Sequence, residues 1–162
     1  MTVHVAAAGE GRGRVVLRYS LGHASPVAIE AAVRIAQAFQ SEIESLFIED
    51  IQLLDLAQHA FIREISFNGR EQRTISTRGL ESGFRASFVQ ARVRIAKAAD
   101  AAEVSWRERV VRDEPMHAIA SACAQNGPWN VIALAEPATA ATSVAIQEIF
   151  DNVADATGLV VV

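Results

Sequence analysis

The sequence predicts an α/β protein: a doubly wound parallel sheet of five strands with helices on both faces. Three observations carry this expectation. Short apolar runs, too continuous for a strand wetted on one side, alternate with stretches of helical periodicity. The strand-helix-strand pattern of the first fifty residues returns in the last third. Of the 162 residues 51% are apolar, enough for one well-buried core.

RVVLRYS, residues 14–20, reads as a buried strand, and LGHA as the turn that follows it. Ser25-Pro26 marks a helix start, the hydroxyl placed to cap and proline at the first helical position. Ala28, Ala31, Ala32, Ile35, Ala38 and Phe39 are the expected apolar stripe. SEIESLFI then reads as a second strand ending near Glu49 and Asp50, which completes a right-handed parallel unit.

The next strand signal, EVSWRERVV at 103–111, follows only about fifty residues later, longer than ordinary connections, so structure of its own is expected between them. DIQLLDLAQHAFI has helical spacing, Asn68-Gly69 suits a hairpin turn, and GFRASFVQARVRIAKAADAA reads as a helix. Phe84, Phe88, Ala91, Ile95 and Ala98 form its inner side and most arginines its solvated side.

Glu114 is placed to cap a helix that begins at Pro115 and stops at Asn126-Gly127-Pro128. WNVIALA is the fourth strand. Thr142 or Ser143 can cap VAIQEIFDNVADA, with Ile149, Phe150 and Val153 facing inward, before Gly158 releases the chain into Leu159–Val162. Residues 1–12 are expected as a flexible tail and 13–162 as one domain, with an inserted helical and hairpin segment at about 51–82.

No run of eighteen apolar residues occurs and the N-terminus has no signal-peptide core, so a soluble cytoplasmic protein without membrane association is expected. The net charge of -4 is mild, but it is unevenly spread. From Arg63 to Lys97 the basic residues Arg63, Arg70, Arg73, Arg78, Arg85, Arg92, Arg94 and Lys97 outweigh Glu64, Glu71 and Glu81. Phenylalanines interleave with these cations, as in single-strand nucleic-acid binders, but helical spacing sends Phe84 and Phe88 to the core. Nucleic acid is therefore not expected, whereas a protein partner on the arginine-rich insertion is.

Cys123 lies among small apolar residues of a helix and reads as an inert packed thiol. His4, His23, His59 and His117 show no metal-ligand spacing, so no metal site is expected. No nucleophile elbow, Walker loop or zinc-binding His-Glu pair points to an enzyme, and no catalytic residue is assigned.

Three stretches resemble the universal stress proteins, a branch of the adenine nucleotide α hydrolase-like and electron-transfer flavoprotein-like superfamily. They are VVLRYSLGHASPVAIEAAVRIAQAFQSEIESLFIED, ERVVRDEPMHAIASACAQNGPWNVIALAEP and GLVVV. In the middle one a strand, an acid with proline, Ala118-Ile119 and then Asn130-Val131-Ile132-Ala133 follow the family's order. The resemblance implies a sheet of order 3-2-1-4-5 and a homodimer along the last strand, here Leu159, Val160, Val161 and Val162.

In members that bind ATP, an acid ending the first strand contacts the base, and a glycine loop after the fourth strand cradles the phosphates. The acid's position falls on Ser20. The loop falls on Ala135 to Ser143, which contains no glycine. Glycine serves there because backbone N–H groups must approach phosphate with no Cβ between them. The expectation is a non-catalytic regulatory or interaction domain with no cofactor.

The alternative is a binder of ATP, AMP or a small anion in the crevice between the first and fourth strands. Ser20, Gly22 and His23 would line one side of it, and Glu136, Thr139, Thr142 and Ser143 the other. Helix capping accounts for Thr142 and Ser143 equally well, and Glu136 would repel a phosphate.

Overall fold

The computed structural model describes residues 13–21, 25–59, 63–66, 68–126, 130–134, 146–149, 151–153 and 156–161. Strand β1 (Arg14–Tyr19) leads into helix α1 (Pro26–Phe39), strand β2 (Glu42–Asp50) and the short helix α2 (Ile51–Leu56). Strands β3 (Arg63–Ile65) and β4 (Gln72–Thr74) form a separate antiparallel pair before the long helix α3 (Thr77–Ala101). Strand β5 (Trp106–Asp113), helix α4 (Pro115–Asn126) and strands β6 (Asn130–Leu134) and β7 (Ala156–Val161) complete the chain. Residues 146–149 and 151–152 are also helical.

The main sheet has the order β5-β2-β1-β6-β7, all neighbours parallel. Counted within that sheet alone, the strands run third, second, first, fourth, fifth. Alternation along the strands divides the core into two layers. Val15, Leu17, Tyr19, Ile43 and Phe47 face α1 and α3. Val16, Leu46, Ile48, Ile132 and Leu134 face α4 together with Ile149 and Val153.

In the first layer the rings of Tyr19, Phe84 and Phe88 surround Phe47 at centroid distances of 5.2, 6.1 and 5.5 Å. The Tyr19 hydroxyl shares a 2.8 Å hydrogen bond with Ser45. Burial pushes its phenol up from the ordinary tyrosine value, so the neutral form is the one that packs. In the second layer Cys123 is fully buried among apolar neighbours, and its backbone carbonyl accepts from the Asn130 side chain.

Several boundaries depart from the sequence expectation. Ser25 makes no side-chain cap; α1 is started by Pro26 and by the Ser25 carbonyl, which accepts from the Ile29 amide at 3.1 Å. The buried face of α1 is Ala28, Ile29, Ala32, Val33 and Ala36, while Phe39 is 72% exposed. Five of the fourteen residues of α1 are alanine, so hydrophobicity alone left the angle of the stripe undetermined. The chain turns away directly after Phe39 through Gln40, whose φ is 50°.

Helix α3 begins at Thr77 rather than at Gly83, because the Ser76 side chain accepts from the Gly79 amide and supplies the cap that offsets two glycines. It is closed by Glu103 at φ 55°, which delays β5 to Trp106. The hairpin forms around Asn68-Gly69, with Gly69 at φ 70°, a left-handed conformation that glycine adopts without steric cost. The helix expected over residues 50–62 is a short one, ending at Leu56.

Candidate functional site

Helices α1 and α3 cover one face of the sheet, and α4 covers the other. Helix α1, which follows β1, packs on the first face, whereas Ile149 and Val153, which follow β6, pack on the second; in open α/β sheets, ligands bind beyond the carboxyl ends of two such neighbouring strands. Of the residues expected there, Ser20 is described. Gly22, His23, Glu136, Thr139, Thr142 and Ser143 lie outside the described residues.

The Ser20 hydroxyl is already engaged. It donates to the Ile48 carbonyl at 2.8 Å, tying the end of β1 to the end of β2. Next to it, Leu21, though 43% exposed, lies against α3 where Gly83 leaves room: a Cβ on Gly83 would come within 2.9 Å of the Leu21 side chain. Helix α3 thus touches the chain just beyond the end of β1.

Arg18 went unnoticed in the sequence as a site residue. It stands in register with Leu46 on β2 and Leu134 on β6, half-buried, on the same face as Val16. The sequence signal was available: one cation interrupts the apolar run VVLRY. Its position makes it a cationic side chain of the strand that borders the switch point.

A second polar group sits where β5 enters α4. Glu114 accepts from the backbone amides of Met116 and His117 at 3.2 and 3.1 Å, so it caps α4 as its sequence position predicts. Asp113 accepts from the Glu114 amide at 2.8 Å and meets the His117 ring at 2.6 Å. The backbone hydrogen bond first, and His117 second, hold the Asp113 carboxyl below its ordinary range. Two carboxylates therefore occupy the helix N-terminus, the place where an external anion would otherwise be received.

Arg112 joins three elements, pairing Glu49 at 2.8 Å and Glu81 of α3 at 3.4 Å. Its hydrogen bond to Glu49 raises the guanidinium above an already high ordinary value. At the opposite end of the strands, Glu44 is fully buried on the α4 face among Arg14, Arg107 and Arg109. Both groups are charge networks that tie β5 to β2.

A groove of about 660 Å³ runs between α1 and α3, floored by Ile29, Val33 and Ala98 and rimmed by Glu30, Arg34, Gln37 and Arg94. Its lining residues all belong to the two helices. Among the described residues no group of three or more His, Cys, Asp or Glu side chains could hold a metal ion. No helix among them is long and apolar enough to cross a membrane.

No protein-family profile matches the sequence, and no curated protein matches it. Solved structures do match. The universal stress protein UspA from Lactobacillus plantarum superposes with a TM-score of 0.61 at 16% identity, over 93% of this chain and 97% of the other. A universal stress protein family protein from Burkholderia pseudomallei gives 0.55 at 13%, over 96% and 98%. A universal stress protein in complex with cAMP gives 0.54 at 13%, over 93% and 96%. With helices on both faces of one parallel sheet of order β5-β2-β1-β6-β7, the chain has the fold of the universal stress proteins.

Proposed function

We propose that the chain is a divergent universal stress protein whose residues 13–162 act as a non-catalytic regulatory or interaction domain in a stress response, without ATP in the family's standard pose. The observation that carries this reading is Ser20. It occupies the position where ATP-binding members have a base-contacting acid, and its hydroxyl is given to the Ile48 carbonyl. The glycine-free turn from Ala135 to Ser143 supports the same conclusion, since Cβ atoms there would hold the backbone away from phosphate.

Calorimetric titration with ATP, AMP and cAMP is expected to give no binding in the low-micromolar range. Low-micromolar affinity for any of the three would overturn the reading.

The second reading is a nucleotide or small-anion binder in the same crevice, and Arg18 favours it, as a cationic side chain in register with Leu134 at the switch point. One of the matched folds carries cAMP. In this reading the hydroxyls of Thr139, Thr142 and Ser143 would complete the site, and the same titration separates the two.

We also propose a homodimer along β7, through Leu159, Val160 and Val161 and the following Val162, which lies outside the described residues. The sheet's other edge argues for this choice. Strand β5 carries Arg107, Glu108, Arg109 and Arg112, the charged side chains that discourage edge pairing, whereas the sequence of β7 is apolar. Light scattering at micromolar concentration is expected to give twice the mass of the 17.4 kDa chain; a monomer would contradict the dimer.

A further inference from the structure

Helix α3 carries two apolar faces. One is the buried face of Phe84, Ala91, Ile95 and Ala99, packed on the sheet and α1. The other points to solvent: Val89 and Val93 are 53% and 63% exposed, Ala86 is exposed and Ala96 half-buried. These four residues are spaced three, four and three apart, the spacing of the a and d positions of a coiled-coil seam.

Scattered exposed valines are ordinary on a protein surface. A heptad-spaced row is different, because it forms a continuous stripe that a second helix can follow. Small alanines at both ends would let that helix come close.

The residues beside the seam identify the partner. With Ala86 and Val93 at a, the flanking g positions are Arg85 and Arg92, and the e positions are Gln90 and Lys97. None is acidic. Arg92 also reaches Glu108 at 3.0 Å, but Arg78, Arg85, Arg94 and Lys97 make no ion pair among the described residues. Of the helix's own acids, Glu81 is drawn to Arg112, and Asp100 ends the seam.

A second copy of α3 would set Arg85 and Arg92 against arginine, lysine or glutamine in either orientation, since g meets e in a parallel pair and g meets g in an antiparallel one. Self-pairing is therefore opposed by like charge. An acidic helix is favoured by the same charges.

We propose that the outer face of α3 docks an amphipathic helix of a partner protein, with apolar a and d residues and glutamate or aspartate flanking them. The proposal rests on reading the chain as an interaction domain and names the chemistry of its partner. Its failure is separable from failure of that reading, because nucleotide titration involves no peptide.

The test uses the full chain and three fluorescent 21-residue peptides, followed by anisotropy. One has Leu at a and d with Glu at e and g. The second has Lys at e and g. The third has the composition of the first in scrambled order.

The Glu peptide is expected to bind at least tenfold tighter than either control, and more weakly as salt rises. The double variant Val89→Ser/Val93→Ser (V89S/V93S), both positions exposed, is expected to keep the parent's urea midpoint and lose at least fivefold in affinity. The proposal is overturned if the Lys or scrambled peptide binds comparably, if the variant loses less than fivefold, or if no peptide binds. It is equally overturned if the chain self-associates through this face, seen as a mass that V89S/V93S halves.

Discussion

Phe84→Ala is expected to destabilise the protein by about 3–5 kcal/mol, the range for truncating a fully buried aromatic residue. Phe84 has no exposed surface, and its ring meets Phe47 edge-on at 6.1 Å. Phe47 in turn touches Tyr19 and Phe88, so the cavity would open beside the central ring of a four-ring cluster that fastens α3 to the sheet. Small domains have roughly 5–15 kcal/mol in total, and the loss would be a large part of it. Phe88, only partly buried, is expected to cost about 2 kcal/mol when truncated, because solvent already reaches one side of it. Phe39→Ala is expected to stay within about 0.5 kcal/mol, as surface changes do. Urea denaturation of the three variants checks the order; a Phe84→Ala loss below that of Phe39→Ala would refute the packing described for α3.

That contrast between Phe84 and Phe39 also shows how far the sequence could be read. Phe84, Phe88, Ala91 and Ile95 repeat at helical spacing between arginines, so the inner face of α3 is marked by its chemical contrast with the outer one. Around Phe39 there is no such contrast, since α1 is mostly alanine, isoleucine and valine, and only packing chooses between neighbouring angles. The parallel units β1-α1-β2 and β5-α4-β6 were legible because apolar runs, prolines at helix starts and the capping acid Glu114 all agree. The start of α3 was not, because Gly79 and Gly83 hide a helix that Ser76 caps.

The candidate site was legible as an address more than as a set of contacts. Sequence order placed Ser20 at the end of β1, but its bond to Ile48 depends on the register of two strands 28 residues apart. Arg18 was visible as an odd residue in an apolar run, yet only the pairing with Leu134 puts it beside the switch point. Glu44 is the extreme case. In SEIESLFI it looks like the polar half of an alternating strand, and nothing local says that Arg107, 63 residues away, will pair with it.

Glu44→Ala is expected to cost about 3 kcal/mol, toward the lower end of what breaking a buried charge pair costs. Glu44 is fully buried; its carboxylate accepts from Arg107 Nε at 3.0 Å, faces Arg109 Nε at 2.9 Å and lies 3.9 Å from Arg14. Without it, the guanidinium groups of Arg14, Arg107 and Arg109 lose the buried carboxylate they share on one sheet face. Arg107 and Arg109, 40% and 26% exposed, can turn toward water, which limits the damage, whereas Arg14 at 17% cannot easily follow. The same principle predicts a different result when the whole set is replaced. A triple variant with leucine at 44, 107 and 109 removes the charges together with the cost of burying them, and is expected within about 1 kcal/mol of the parent. It should then fail in another way: the edge strand β5 would lose the side chains that keep it from pairing, and larger assemblies should elute from size exclusion. If the triple variant is instead as unstable as Glu44→Ala and stays at the parent's size, the network contributes net stability and the edge is protected by something else. The expected outcome, a stable fold with lost solubility, would mean that this buried carboxylate lets arginines line one sheet edge and so leaves β7 as the edge open to assembly.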